Sequence, residues 1–131
     1  MGTKKIIIVD DDESVLELFS AVLEKQGYKV KTFMRGWEAL QFVSRELPDL
    51  VILDIMMPRV NGFEVCQILK ENFKTSHIPV MFLSALSHQD AMRRAAEGGA
   101  DDFLVKPCAT DKLVERVAIQ LKKVREGAKK E

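Results

Sequence analysis

The sequence predicts a doubly wound α/β fold, a five-stranded parallel sheet held between helices in a three-layer α/β/α arrangement. Two observations carry this expectation. Short apolar runs alternate five times with longer segments whose apolar residues recur at helical spacing. Parallel neighbours need right-handed helical crossovers, so unbroken β-α alternation points to one parallel sheet covered on both faces. Four of the runs also end in a polar residue: IIIV before Asp10, Asp11 and Asp12, LVIL before Asp54, VMFL before Ser84, and FLV before Lys106. One such run is ambiguous between strand and buried helix, but four punctuated alike are hard to dismiss.

The elements run in order along the chain. Lys4 and Lys5 precede the β-branched run 6–9, and the polar cluster 10–14 opens a helix with Val15, Leu16, Leu18, Phe19, Val22 and Leu23 at helical spacing. Gly27 stops that helix as a C′ residue does, and residues 28–33 form a β-rich run whose lysines at 29 and 31 suit a sheet edge. The next helix, 36–46, carries Ala39, Leu40 and Val43 on one side and is stopped by Leu47-Pro48-Asp49 before the strand 50–54. The loop 55–61 contains Pro58 and closes on the turn pair Asn61-Gly62, ahead of a helix bearing Phe63, Val65, Cys66, Ile68 and Leu69. Pro79 introduces the strand 80–84, the helix 88–97 ends at Gly98-Gly99, and the strand 102–106 leads to a last helix over about 110–125. One domain over 4–125 is expected. The charged residues 126–131 lack apolar anchors and read as a frayed tail or linker stub.

Composition narrows the function. The 131 residues, 47% hydrophobic, suffice for one core. Twenty basic and twenty acidic residues cancel, so no global field draws the chain to nucleic acid or a membrane surface. Cys66 and Cys108 lie far apart with no CxxC or His-Cys cluster, which argues against a zinc site or a disulfide. The MGTKK start leads into only four apolar residues, too few for a signal segment or a span, so a soluble cytoplasmic protein is expected.

In an open sheet of order 2-1-3-4-5, the flavodoxin-like arrangement, ligands sit beyond the strand carboxyl ends between strands one and three. Those strands end in Asp10/Asp11 and Asp54. Three carboxylates in one crevice repel, and a hard divalent cation with oxygen ligands resolves the repulsion; Mg²⁺ is the natural candidate. Lys106 then adds a positive charge for a phosphoryl group and the Ser84 hydroxyl a hydrogen bond, leaving Asp54 as the nucleophile for an aspartyl phosphate. Plainer readings hold elsewhere: Asp12 as a helix cap, His77 and His88 as solvated histidines in loop or helix-start positions, and Arg93-Arg94 and Lys122-Lys123 as solvated helix faces; for Phe103, plain core is one of two open readings. Trp37 is expected to be partly exposed.

The motifs VDDDES, LDIMMPRVNG, FLSA and GADDFLVKP, at intervals of 43, 30 and 22 residues from Asp11 through Asp54 and Ser84 to Lys106, resemble the receiver domain of two-component response regulators, including the chemotaxis type. The resemblance implies that Asp10, Asp11, Asp54 and the backbone carbonyl of Met56 hold Mg²⁺. It implies that Asp54 accepts a phosphoryl group from a sensor histidine kinase, a phosphotransfer protein or a small-molecule donor. Ser84 would swing toward that group, Phe103 would rotate inward, and the Lys106-Pro107 peptide would be cis. The signal would appear on helix four, strand five and helix five and pass to a downstream protein or output domain, the chain acting as a switch and not as a turnover enzyme. Ser84 stands where threonine is more usual, and only a methyl is lost. Met56 and Leu86 are apolar at positions flanking the site, so neither orients a water for attack, and a long-lived phosphoryl state is expected. Cys108 stands where phenylalanine is frequent, which would loosen packing beneath the last helix. Asp101, Asp102 and Arg116 resemble part of the charged set through which transcription-factor receivers pair, with Met92 and Lys112 replacing two members; monomer and phosphorylation-dependent homodimer both stay open. Two rivals lack their motifs: LDIMMP has neither the second aspartate nor the threonine of DxDxT phosphatases, and no GxGxxG or GxxxxGKS marks a nucleotide site.

Overall fold

A computed structural model describes residues 2–86 and 88–130, the last seven of these by backbone only. Strands β1 (Lys5–Val9), β2 (Lys29–Phe33), β3 (Leu50–Leu53), β4 (Val80–Ser84) and β5 (Asp102–Val105) alternate with helices α1 (Glu13–Lys25), α2 (Gly36–Glu46), α3 (Gly62–Glu71), α4 (Gln89–Glu97) and α5 (Thr110–Lys130). The strands form one sheet in the order β2-β1-β3-β4-β5, every pair parallel.

Strand periodicity divides the core in two. Ile6, Ile8, Leu50, Ile52, Met81 and Leu83 point to one face, where they meet Leu16, Phe19 and Leu23 of α1 and Leu113, Val117 and Leu121 of α5. Ile7, Val9, Val51, Leu53, Val80 and Phe82 point to the other, against α2, α3 and Ala95 of α4. The central strands β3 and β4 are therefore buried at every residue, which explains why they read as continuous apolar runs with no alternation. β2 lies at one edge, exposed at Lys29 and Lys31.

Several details differ from the expectations. Leu18 and Ile68, counted with their helices' apolar faces, are 52% and 50% exposed. Each is displaced from its helix's core-facing stripe, which Leu16, Phe19 and Leu23 fill in α1 and Val65, Cys66 and Leu69 fill in α3. β3 and β5 stop one residue early, so Asp54 and Lys106 stand just beyond the sheet. His88 is exposed, but it also caps α4, its Nδ1 accepting from the Ala91 amide at 3.1 Å. The tail expected to fray from residue 126 continues α5 as helix to Lys130. Alanine, lysine, arginine and glutamate favour that continuation, and a single Gly127 is too small a penalty to end it.

Candidate functional site

The carboxyl ends of β1, β3, β4 and β5 converge because neighbouring strands run parallel and in close register, with Val9 opposite Leu53 and Ser84 opposite Val105. The ladder continues past the strands. Asp10 donates its amide to Phe33, Asp54 to Val9 and Lys106 to Ser84, at 3.0, 2.9 and 2.8 Å. The side chains of Asp10, Asp54 and Lys106 thus leave a backbone pinned by its neighbour.

One oxygen from each of Asp10, Asp11 and Asp54 lies within 4.8 Å of the other two. Asp10 and Asp54 are buried and Asp11 is exposed at the mouth. Lys106 places Nζ 2.5 Å from Asp10 Oδ2 and 3.7 Å from Asp54 Oδ2. The other Asp10 oxygen accepts from the Asp12 amide at 2.9 Å. Asp54 receives no comparable compensation: burial, then the Asp10 charge, push its carboxyl above the usual range, and Lys106 offsets this only in part. An incompletely balanced carboxylate beside two others is the donor chemistry that suits a hard, oxygen-seeking divalent ion.

Neighbouring residues fall into place around this crevice. Asp12 caps α1, accepting from the Ser14 hydroxyl and amide at 2.6 and 3.0 Å, and these bonds hold its carboxyl below the usual range. Ser84 is buried, and its Oγ accepts from the Leu86 amide at 3.3 Å. Met56 is exposed, and Phe103 is half-buried with its ring 6.0 Å from that of Phe82. The Lys106-Pro107 peptide is cis.

Gly62 holds the β3–α3 loop in place. A Cβ there would stand 2.2 Å from the Asp54 carbonyl oxygen and 2.8 Å from Ile55 Cα, so only glycine lets α3 start directly beneath the Asp54 backbone. Asn61 and Glu64 close a reciprocal capping box on that start, at 3.0 and 3.2 Å.

The family profile described as the response regulator receiver domain matches residues 6–118. The chain belongs to the response regulator receiver family. It is 42% identical over 113 residues to the response regulator PleD of Caulobacter vibrioides, covering 86% of this chain and 25% of the relative. It is 38% identical over 121 residues to the phosphate regulon transcriptional regulatory protein PhoB of Rhizobium meliloti, covering 92% and 53%. The chain therefore spans between a quarter and about half of these relatives. Among solved structures, a putative response regulator from Chloroflexus aurantiacus superposes with a TM-score of 0.88 at 35% identity, covering 92% of this chain and 99% of that one. Receiver domains are phosphoacceptor switches that generally bind Mg²⁺ and interact with histidine kinases and output domains. Among the described residues, no helix is long and apolar enough to cross a membrane.

Asp101, Asp102 and Arg116, a charged set in the sequence, find partners within this receiver domain. Asp101 accepts from the Val80 amide at 2.8 Å and from Lys70 at 3.1 Å, while Lys70 also donates to the Ser76 and Ile78 carbonyls, tying α3, β4 and β5 together. Asp102 takes a bidentate fork from Arg116 within the same chain. Both join residues far apart in sequence, and acid and base spacing alone carries no sign of them.

Proposed function

We propose that Asp54 is the phosphoacceptor and that this receiver domain works as a Mg²⁺-dependent switch. The observation that carries the reading is the buried Asp54 carboxylate at the end of β3, grouped with Asp10 and Asp11 and reached by Lys106. Asp10, Asp11, Asp54 and the Met56 carbonyl are the proposed ligands. The ion, when bound, neutralises charge on the phosphoryl oxygens.

An Asp54 oxygen attacks phosphorus while the bond to the leaving group breaks, and the leaving group departs with the electron pair. Lys106 exchanges part of its contact with Asp10 for a phosphoryl oxygen. The Ser84 hydroxyl, already directed at the β4–α4 loop through the Leu86 amide, donates to another oxygen and draws that loop inward. Phe103 fills the space released, which alters the face formed by α4, β5 and α5. A sensor histidine kinase or phosphotransfer protein is the proposed donor, and a downstream protein or output domain the reader. Free thiols at Cys66 and Cys108 suit the cytoplasm.

Incubation with acetyl phosphate and Mg²⁺ tests this. One acid-stable, hydroxylamine-sensitive acyl phosphate per chain, absent from Asp54→Asn, is expected. Sustained release of phosphate would instead indicate a phosphatase, and labelling that persists in Asp54→Asn would remove Asp54 from its role.

A further inference from the structure

We propose that Arg94 is a donor-binding residue, forming with the β3–α3 loop an anion subsite through which a small acyl phosphate reaches Asp54. The inference rests on the phosphoacceptor reading above.

Arg94 and its neighbour Arg93 share a helix and a sequence context, yet the structure separates them. Arg93 is paired, its guanidinium 2.6 Å from Asp90. Arg94 has no carboxylate partner and no side-chain hydrogen bond among the described residues, although its guanidinium carbon sits 4.3 Å from the Phe63 ring centroid. A cation over an aromatic face is held without using its N–H donors, so all five remain available to a phosphate. Arg94 lines a recess of about 360 Å³ together with Asp11, Met56, Asn61 and Phe63. Asp11 is a member of the carboxylate cluster, so the recess adjoins the crevice that holds Asp54. Arg59, on the same loop, lines a different hollow beside Trp37.

Charge gives the recess its use. Lys106 is occupied by Asp10 and Asp54, and a divalent ion bound to three carboxylates leaves the crevice close to neutral. Such a crevice has little left to attract a dianion, and Arg94 supplies the missing charge at the entrance. It takes no part in the bond changes: the Asp54 oxygen-phosphorus bond forms as the phosphorus-oxygen bond to acetate breaks, and acetate leaves with the electron pair.

The test measures the second-order rate of Asp54 phosphorylation by acetyl phosphate, with Mg²⁺, across a salt series. Arg94→Met, which keeps an apolar stem against Phe63, is expected to lower the rate about fivefold at low salt and to flatten the salt dependence, while Arg94→Lys keeps most of both. With Mg²⁺ present to offset the carboxylates, inorganic phosphate is expected to shift the Arg94 Nε–H resonance. Thermal melting checks that each variant folds, and Arg94→Gln repeats the measurement if Arg94→Met does not. A wild-type rate and salt slope in Arg94→Met, or an equal loss at every salt concentration, overturns the proposal. So does a loss confined to transfer from a phosphohistidine protein, which would assign Arg94 to protein docking. A wild-type chain that takes no phosphoryl group at Asp54 overturns this inference and the phosphoacceptor reading together; the other results leave that reading standing.

Discussion

Asp54 is the residue whose surroundings least suit its charge. Burial and Asp10 both oppose ionisation there, so the metal-free fold carries a penalty that is absent below about pH 3.8, where the carboxyl is protonated in both states, and grows as pH rises through its raised folded value. Asp54→Asn removes that charge at nearly constant shape. We expect it to raise the melting temperature of the metal-free protein by a few degrees, on the order of 1 kcal/mol, at pH 7 while abolishing phosphorylation; calorimetry in the presence of chelator measures the first effect. Residues 56 and 86 concern the reverse reaction. Met56 is exposed and Leu86 half-buried, and neither has a group to orient a water toward the acyl phosphate. The phosphoryl state is therefore expected to outlast seconds without a phosphatase, and Met56→Asn to shorten it. Following acid-quenched phosphoprotein over time measures both, and decay of the parent protein within seconds would contradict the argument.

Elements meet at two points that are open to test. Gly62 admits the N-terminus of α3 beneath the Asp54 backbone, so Gly62→Ala must displace backbone and not a flexible side chain. A loss of about 3 kcal/mol in chemical denaturation, with slowed phosphorylation as Asp54 shifts, is expected. Asp102 and Arg116 join β5 to α5. Burial opposes the Asp102 charge, but the Arg116 fork and the Phe103 amide outweigh it and hold the carboxyl below its ordinary range. That stabilisation is full above pH 3.8 and is lost as pH falls through the lowered folded value. Arg116 is partly solvated, so Asp102→Asn is expected to cost only about 1 kcal/mol at neutral pH. Denaturation of both proteins across pH should show the gap closing in acid.

These contacts mark where sequence reasoning stops. Strand order, the crevice and its acids are legible in the sequence because each depends on local periodicity and on the polar residues that terminate an apolar run. Asp101 to Lys70 and Arg94 to Phe63 each span 31 residues and depend on how α3 and α4 settle on the sheet, which no local pattern encodes. Leu18 and Ile68 read as core because helical spacing gives a face but not its width. Spacing to other ligands marks His88 as merely solvated, although its side chain begins a helix.

For the whole molecule, the proposed metal binds only the folded chain, since the three carboxylates come from two strand ends brought together by folding. Mg²⁺ is therefore expected to raise the melting temperature in proportion to the logarithm of its concentration above the dissociation constant, and the shift should vanish in a chain lacking both Asp11 and Asp54. Differential scanning fluorimetry over a Mg²⁺ series checks this, and an equal shift with the double variant would disconnect the crevice from the ion. Phe63, Phe82 and Phe103 form a row of rings 5.6 and 6.0 Å apart running from α3 across β4 to β5. The edge strand β2 has a separate consequence. Its lysines at 29 and 31 ring an open line of backbone donors and acceptors with positive charge, which discourages a strand from another chain from annealing there. Strand addition is thereby discouraged at this edge of the sheet, and contacts with other proteins are left to the helical faces and to the opposite edge at β5, where binding can be brief and reversible.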